Sequence, residues 1–136
     1  MGMGIAVSRS VLIGTRQISA DLAPHEACGL LFGTAHVITA MQATENTAED
    51  PGRRFEIDPA ALFAALRAER AGGPKIVGYW HSHPSGDATP SATDAAMAAP
   101  DGRLWLIVAG EAVTLWRAVE GGALHGRFDA VELVVG

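Results

Sequence analysis

The chain has 136 residues, of which 49% are apolar and 18% charged, with a formal net charge of -5 and a pI near 5.4. This size and balance exclude a disordered chain and leave room for one hydrophobic core, so a single domain over residues 1–136 is expected. Ten Lys and Arg spread along an acidic chain argue against nucleic-acid or anionic-membrane partners, and no apolar run reaches the roughly 18–20 residues of a membrane span.

Met1 to Ala6 lacks a basic region followed by a long apolar one, so no secretory leader is expected, and Ala6 stands where a myristoylation signal wants Ser or Thr. Ser8 to Leu22 sets Val11, Leu12, Ile18 and Leu22 at mostly helical spacing, with Ser8 as N-cap and Pro24 beyond the end. Ala27 to Phe32 is a short apolar run closed by Gly33, and His36 to Ala43 alternates as its antiparallel neighbour, which predicts a β-hairpin. The single cysteine, Cys28, excludes an internal disulfide and suits a reducing cytoplasm; among apolar neighbours it reads as a small buried hydrophobe before a nucleophile. Glu45 to Arg54 is polar, holds Pro51 and Gly52, and reads as a mobile loop, with Arg53 to Ile57 as a further strand.

Asp58 caps a helix with Pro59 in its first position and Leu62, Phe63 and Leu66 on one face, stopped by Gly72-Gly73-Pro74. Lys75 to Ser82 reads as a buried strand and Ser91 to Ala98 as a short helix, followed by strands or strand pairs over Arg103–Ala109, Ala112–Val119 and Leu124–Val135. The order α, β, β, β, α, β, α, β, β, β points to an α/β fold, a mixed central sheet covered by helices.

The chemistry concentrates between Gly78 and Asp94. Side chains two apart on a strand share a face, so His81 and His83 project together while Ser82 points the other way. Pro84 ends the strand, and the loop through Ser85, Gly86 and Asp87 can fold back so that Asp94, in the first turn of the next helix, offers a carboxylate. Two histidines and one carboxylate leave a fourth position open, as in catalytic zinc sites. A base must still move a proton, and Glu26, at the start of a buried strand, is the carboxylate best placed for it.

Blander readings stand beside these. Alternate histidines also occur on half-buried edge strands, and Ser91-Ala92-Thr93-Asp94 is a capping-box pattern in its own right. Glu26 can be a surface residue at a strand entry. Asp87 is a rival ligand, although Gly-Asp in a loop is commonly turn chemistry. His25-Glu26 does not begin a helical His-Glu-x-x-His site, because Gly29 fills the second His position. His36 and His125 have no companions and read as surface residues, while Tyr79 and Trp80 read as packing for the histidine strand.

Taken together, Glu26, His81-x-His83, ten intervening residues, Asp94, and Ser91 three before it resemble the motif of the JAMM, or MPN-plus, zinc metalloproteases. Pro24–Gly33 resembles the family's Glu-bearing segment and Gly78–Asp94 its metal-binding segment. The resemblance implies an MPN/JAMM-like, cytidine-deaminase-like sandwich in which His81, His83 and Asp94 bind Zn²⁺. It further implies that Glu26 is acid and base and that Ser91 supports the tetrahedral intermediate. The short chain resembles the compact prokaryotic branch, which implies hydrolysis of peptide or isopeptide bonds after the C-terminal Gly-Gly of ubiquitin-like or sulfur-carrier proteins. Two other readings share parts of the pattern: a non-catalytic MPN scaffold, which typically loses ligands, and a RadC-like protein, suggested by His83-Pro84-Ser85-Gly86-Asp87 but usually carrying Asn where this chain has Ser82. The oligomeric state and the substrate protein are not encoded in any motif.

Overall fold

The computed structural model describes residues 4–136. Its elements run β1 (Ile5–Val7), α1 (Arg9–Leu22), β2 (Cys28–Gly33), β3 (Val37–Thr44), α2 (Pro59–Arg70), β4 (Ile76–Ser82), α3 (Ala92–Met97), β5 (Leu104–Ala109), β6 (Ala112–Gly122), β7 (Gly126–Val131) and β8 (Leu133–Val135). All eight strands form one mixed sheet in the order β7-β6-β5-β4-β2-β3-β1-β8. The α/β architecture with a mixed central sheet and flanking helices agrees with the sequence reading. No helix among the described residues is long and apolar enough to cross a membrane.

The two edge strands, β7 and β8, are separated in the chain only by Glu132. Because consecutive Cα atoms are about 3.8 Å apart, the edges must come close together, so the sheet curls. Its concave face holds α1: Val11 and Leu12 join Leu31, Trp80, Leu106 and Leu115 in the main core. The opposite face carries a second cluster, with Cys28, Phe55, Trp105, Ala118 and Phe128, and α2 packs Ala65 against Leu30 and Ile76 beside it. Helix α2 begins as its sequence predicts, with Pro59 in the first turn and the Asp58 carboxylate accepting from the Ala60 amide.

The structure departs from the predicted order in two places. Ile5–Val7, which the predicted order leaves out, is a strand, β1, because it finds parallel partners on both sides, β3 and β8. Arg53–Ile57 is not a strand: only an isolated bridge joins Ile57 to Asn46, since the segment is held by a side chain, described below, in place of a ladder. Leu124–Val135 takes the strand-pair form of its reading, β7 and β8, with the two strands at opposite edges of the sheet. Ser8 does occupy the N-cap of α1, but its side chain makes no capping bond.

Strand β4 is the centre of the fold, antiparallel to β2 and parallel to β5. Its two faces do different work. Trp80 is fully buried toward α1 and sends its indole across β2 at Gly29 to donate to the Gln42 carbonyl at 3.3 Å. A Cβ on Gly29 would drive into that carbonyl and into Trp80 Nε1. The next residue, His81, faces the α2 and α3 side and lies opposite Cys28. Burial pushes the Cys28 thiol up to about 11, against a hydrogen bond with Thr44 and aided by the Glu26 charge.

Two outcomes follow from this packing. Gly29→Ala should destabilise the fold by about 2–3 kcal/mol and lower the thermal midpoint by roughly 5–10 °C, read by circular dichroism; an unchanged midpoint would show that the Trp80 crossing is not tight. In the native protein at pH 8, Cys28 should react with a chromogenic disulfide reagent at least about 100-fold more slowly than in guanidinium, because it is inaccessible and almost wholly protonated.

Candidate active site

The register between β2 and β4 brings the first two parts of the site together. Cys28 pairs with His81, so two steps further along, Glu26 comes opposite His83 and on the same face. Ser82 points to the other face, as its place in the alternation requires, and closes the junction. Its Oγ accepts from the Ala27 amide at 2.8 Å and its own amide donates to the Ala27 carbonyl at 3.0 Å. Beyond the strand, the His83 amide donates to Val108 on β5 at 2.8 Å.

Asp94 arrives from the third position of α3. The capping box is fully formed: Ser91 Oγ accepts from the Asp94 amide at 3.0 Å, and Asp94 Oδ2 accepts from the Ser91 amide at 2.9 Å. The same Oδ2 lies 3.2 Å from His81 Nε2 and 3.0 Å from His83 Nε2. Capping and convergence on the histidines are therefore not alternatives here, because the cap is what aims the carboxylate. The loop before it is tied down from outside the site, by Thr114 Oγ1 donating to the Ala88 carbonyl at 2.5 Å and by His125 Nε2 donating to Pro90 at 3.1 Å.

All four groups are withdrawn from water, with 0% of His81, 2% of Asp94, 5% of Glu26 and 8% of His83 exposed. Burial pushes Asp94 upward, but hydrogen bonds from His81 and His83 outweigh it and hold the carboxyl well below the usual carboxylate range. Burial lowers His81, with Asp94 opposing. Burial also acts downward on His83, yet bonds to Asp94 and to the Asp87 carbonyl leave it raised. Glu26 is pushed up by burial to about 7, with His83 pulling against the rise and the Asp94 charge adding to it.

This donor set fits a metal ion. His83 Nδ1 donates to the Asp87 carbonyl at 2.7 Å, so that an Nε2 proton displaced by a bound metal would leave that lone pair facing His81 and Asp94. His81 Nε2 and His83 Nε2 are only 3.0 Å apart. The triangle of two ring nitrogens and one carboxylate oxygen thus has edges of 3.0, 3.0 and 3.2 Å. Ligands on a tetrahedral ion at about 2.0–2.1 Å lie roughly 3.3 Å apart, close to what is seen. Glu26 also offers an oxygen within 4.8 Å of both histidines, so two triplets share the His pair. The Asp94 triangle is the tighter, and Glu26 stands one step back. Glu26 Oε1 is buried without a hydrogen-bond partner among the described residues.

Glu26, His83 and Ser91 open onto a cleft of about 650 Å³ that is also bounded by Arg53, Pro84 and His125. The Asp87 carboxylate turns away to accept from the Thr89 amide at 3.0 Å, the turn chemistry its Gly-Asp context suggests. His125 is an exposed residue, as its sequence reading has it, and donates to the Pro90 carbonyl from a left-handed backbone at φ 53°. Phe55 escaped the sequence reading, yet its ring stacks on His81 with centroids 4.3 Å apart and planes at 20°. The signal available for it is a lone aromatic in a polar segment.

Residues 9–120 match the family of prokaryotic homologs of the JAB domain. Over 100 residues the chain is 38% identical to a desampylase of Haloferax volcanii, covering 72% of each protein. It is 34% identical over 93 residues to a "Probable TtuB-protein conjugate cleaving protease" of Thermus thermophilus, covering 68% of this chain and 62% of that one. A JAB1/MPN domain protein from Archaeoglobus fulgidus superimposes with a TM-score of 0.62 at 21% identity, covering 98% of this chain and all of the other. With a curled mixed sheet of the JAB1/MPN type and a family match that runs from the start of α1 into β6, this chain belongs to the prokaryotic homologs of the JAB domain.

Proposed function

We propose that this chain is a zinc-dependent peptidase domain that hydrolyses the peptide or isopeptide bond after the C-terminal Gly-Gly of a ubiquitin-like or sulfur-carrier protein in the cytoplasm. The observation that carries the reading is the buried triangle of His81 Nε2, His83 Nε2 and Asp94 Oδ2 with Glu26 beside it, its Oε1 unpaired among the described residues. The activities named for the Haloferax and Thermus relatives support the substrate class. Two imidazoles, one carboxylate and a fourth direction left to the cleft favour zinc, since closed structural zinc sites use four protein ligands.

In this reading His81, His83 and Asp94 hold the metal, which supplies a Lewis acid for the carbonyl and makes water easier to deprotonate. Glu26 takes the proton of the attacking water. Its raised pKa keeps it a strong enough base for that step and a strong enough acid to pass the proton to the leaving amine. Ser91 Oγ already accepts from the Asp94 amide, and its hydroxyl hydrogen has no acceptor among the described residues. It is therefore free to donate to the oxyanion of the tetrahedral intermediate. The acidic balance of the chain, -5 overall, favours this reading over a DNA-associated one.

The purified protein should bind one zinc per chain, measured by mass spectrometry of the metal. Asp94→Asn keeps an acceptor for the Ser91 amide, so α3 should remain capped while zinc affinity falls by more than the roughly 10–100-fold typical of outer-sphere changes. Glu26→Gln should retain zinc and lose roughly 100- to 10,000-fold in kcat on a fluorogenic Gly-Gly-aminocoumarin peptide. Metal-free protein, or undiminished cleavage by the Gln variant, would overturn the proposal.

A further inference from the structure

The segment between β3 and α2 has almost no regular structure, yet it touches the site twice. Asn46 stands at its entrance. The side-chain Nδ2 donates to the Glu26 carbonyl at 3.0 Å and to the Arg54 carbonyl at 3.1 Å, while Oδ1 accepts from the Ala48 and Glu56 amides, both at 3.0 Å. A primary amide has two donor hydrogens and two acceptor lone pairs, and here all four are used. The reverse orientation of the amide would set like groups against each other four times, so its direction is fixed.

The consequence falls on Glu26, whose backbone is gripped at both ends by this one segment. The Glu26 amide donates to the Pro51 carbonyl at 2.7 Å and its carbonyl accepts from Asn46. Glu26 lies outside β2, which begins at Cys28, so no sheet ladder holds it there. Farther along, the same segment delivers Phe55 onto the His81 ring. A short strap, drawn together by one side chain, thus bridges the carboxylate to the face of a histidine.

We propose that Asn46 is a positioning residue for Glu26, acting through the Glu26 main chain and never touching substrate. This rests on the reading of Glu26 as the base. Near-attack geometry is sensitive enough that a displacement of about 1 Å can cost on the order of 100-fold in rate. The amide is required, and a carboxylate in its place would not serve: Asn46→Asp keeps acceptors for Ala48 and Glu56 but turns the bonds to Glu26 and Arg54 into repulsions. Thr47 provides the contrast, because its hydroxyl ties only to Glu56, across the neck of the strap.

The test compares Asn46→Asp, Asn46→Ala and Thr47→Ala as zinc-loaded full-length proteins, at a temperature where circular dichroism shows each to be folded. Both Asn46 variants should lose roughly 10- to 100-fold in kcat on the Gly-Gly-aminocoumarin peptide, with KM and zinc stoichiometry held within about twofold. Thr47→Ala should keep kcat within about twofold even where its thermal midpoint falls as far. A folded Asn46 variant with wild-type kcat would overturn the proposal, as would equal losses from Thr47→Ala. An independent measurement needs no activity and no variant: in the wild-type protein the Asn46 side-chain amide and the Glu26 main-chain amide should exchange slowly with deuterated water by NMR. Exchange at the rate of an open loop would overturn the clasp, whereas a failure of zinc binding or of the Glu26→Gln comparison strikes the base assignment instead.

Discussion

The pairing of β2 with β4 determines almost everything else in this molecule. Strand side chains alternate with a period of two, so a slip of one residue would turn Glu26 away from His83 and carry Trp80 into the site in place of His81. The register is locked at two points. On the concave side the Trp80 indole needs the missing side chain of Gly29, and at the strand end Ser82 accepts from Ala27, a bond available only in this register. Helices α1 and α2 then pack on surfaces whose identity that register has already decided.

The second constraint is electrostatic. Two carboxyl groups and two imidazoles share a space with almost no solvent, and buried charge is tolerated only with partners. Asp94 is satisfied three ways through one oxygen, whereas Glu26 Oε1 is buried without a partner among the described residues. The environment thus separates two like residues, one held firmly ionised and the other poised near neutrality. Such a division of pKa values between neighbouring carboxyls is a recurrent means of giving them different tasks.

Much of this was legible in the sequence, and the reasons differ by residue. The shared face of His81 and His83 follows from strand periodicity alone, and Asp58-Pro59 marks the start of α2 without ambiguity. Asp94 could be read as a cap or as a partner of the histidines, and the structure shows one oxygen serving the cap while facing both rings. The geometry that brings Glu26 to His83 depends on a pairing across more than fifty residues, which no local pattern encodes. Asn46 and Phe55 were invisible for a related reason. Their partners are main-chain groups and a ring face distant in sequence, and the polar stretch around them carries no period. Likewise β1 is too short to announce itself, and it exists because the curled sheet offers it neighbours on both sides.

The distribution of the site along the chain bears on how it assembles. His81, His83 and Asp94 fall within one strand, one loop and the first turn of α3, so their meeting requires only short loop closures. Glu26 reaches them only after β2 and β4 have paired at long range, a slower class of event. On the proposed roles, the metal-holding half of the site is local in sequence and the proton-moving half is not. Proton transfer on those roles therefore depends on the closure of the whole sheet, whereas the metal-holding residues depend on one short stretch of chain.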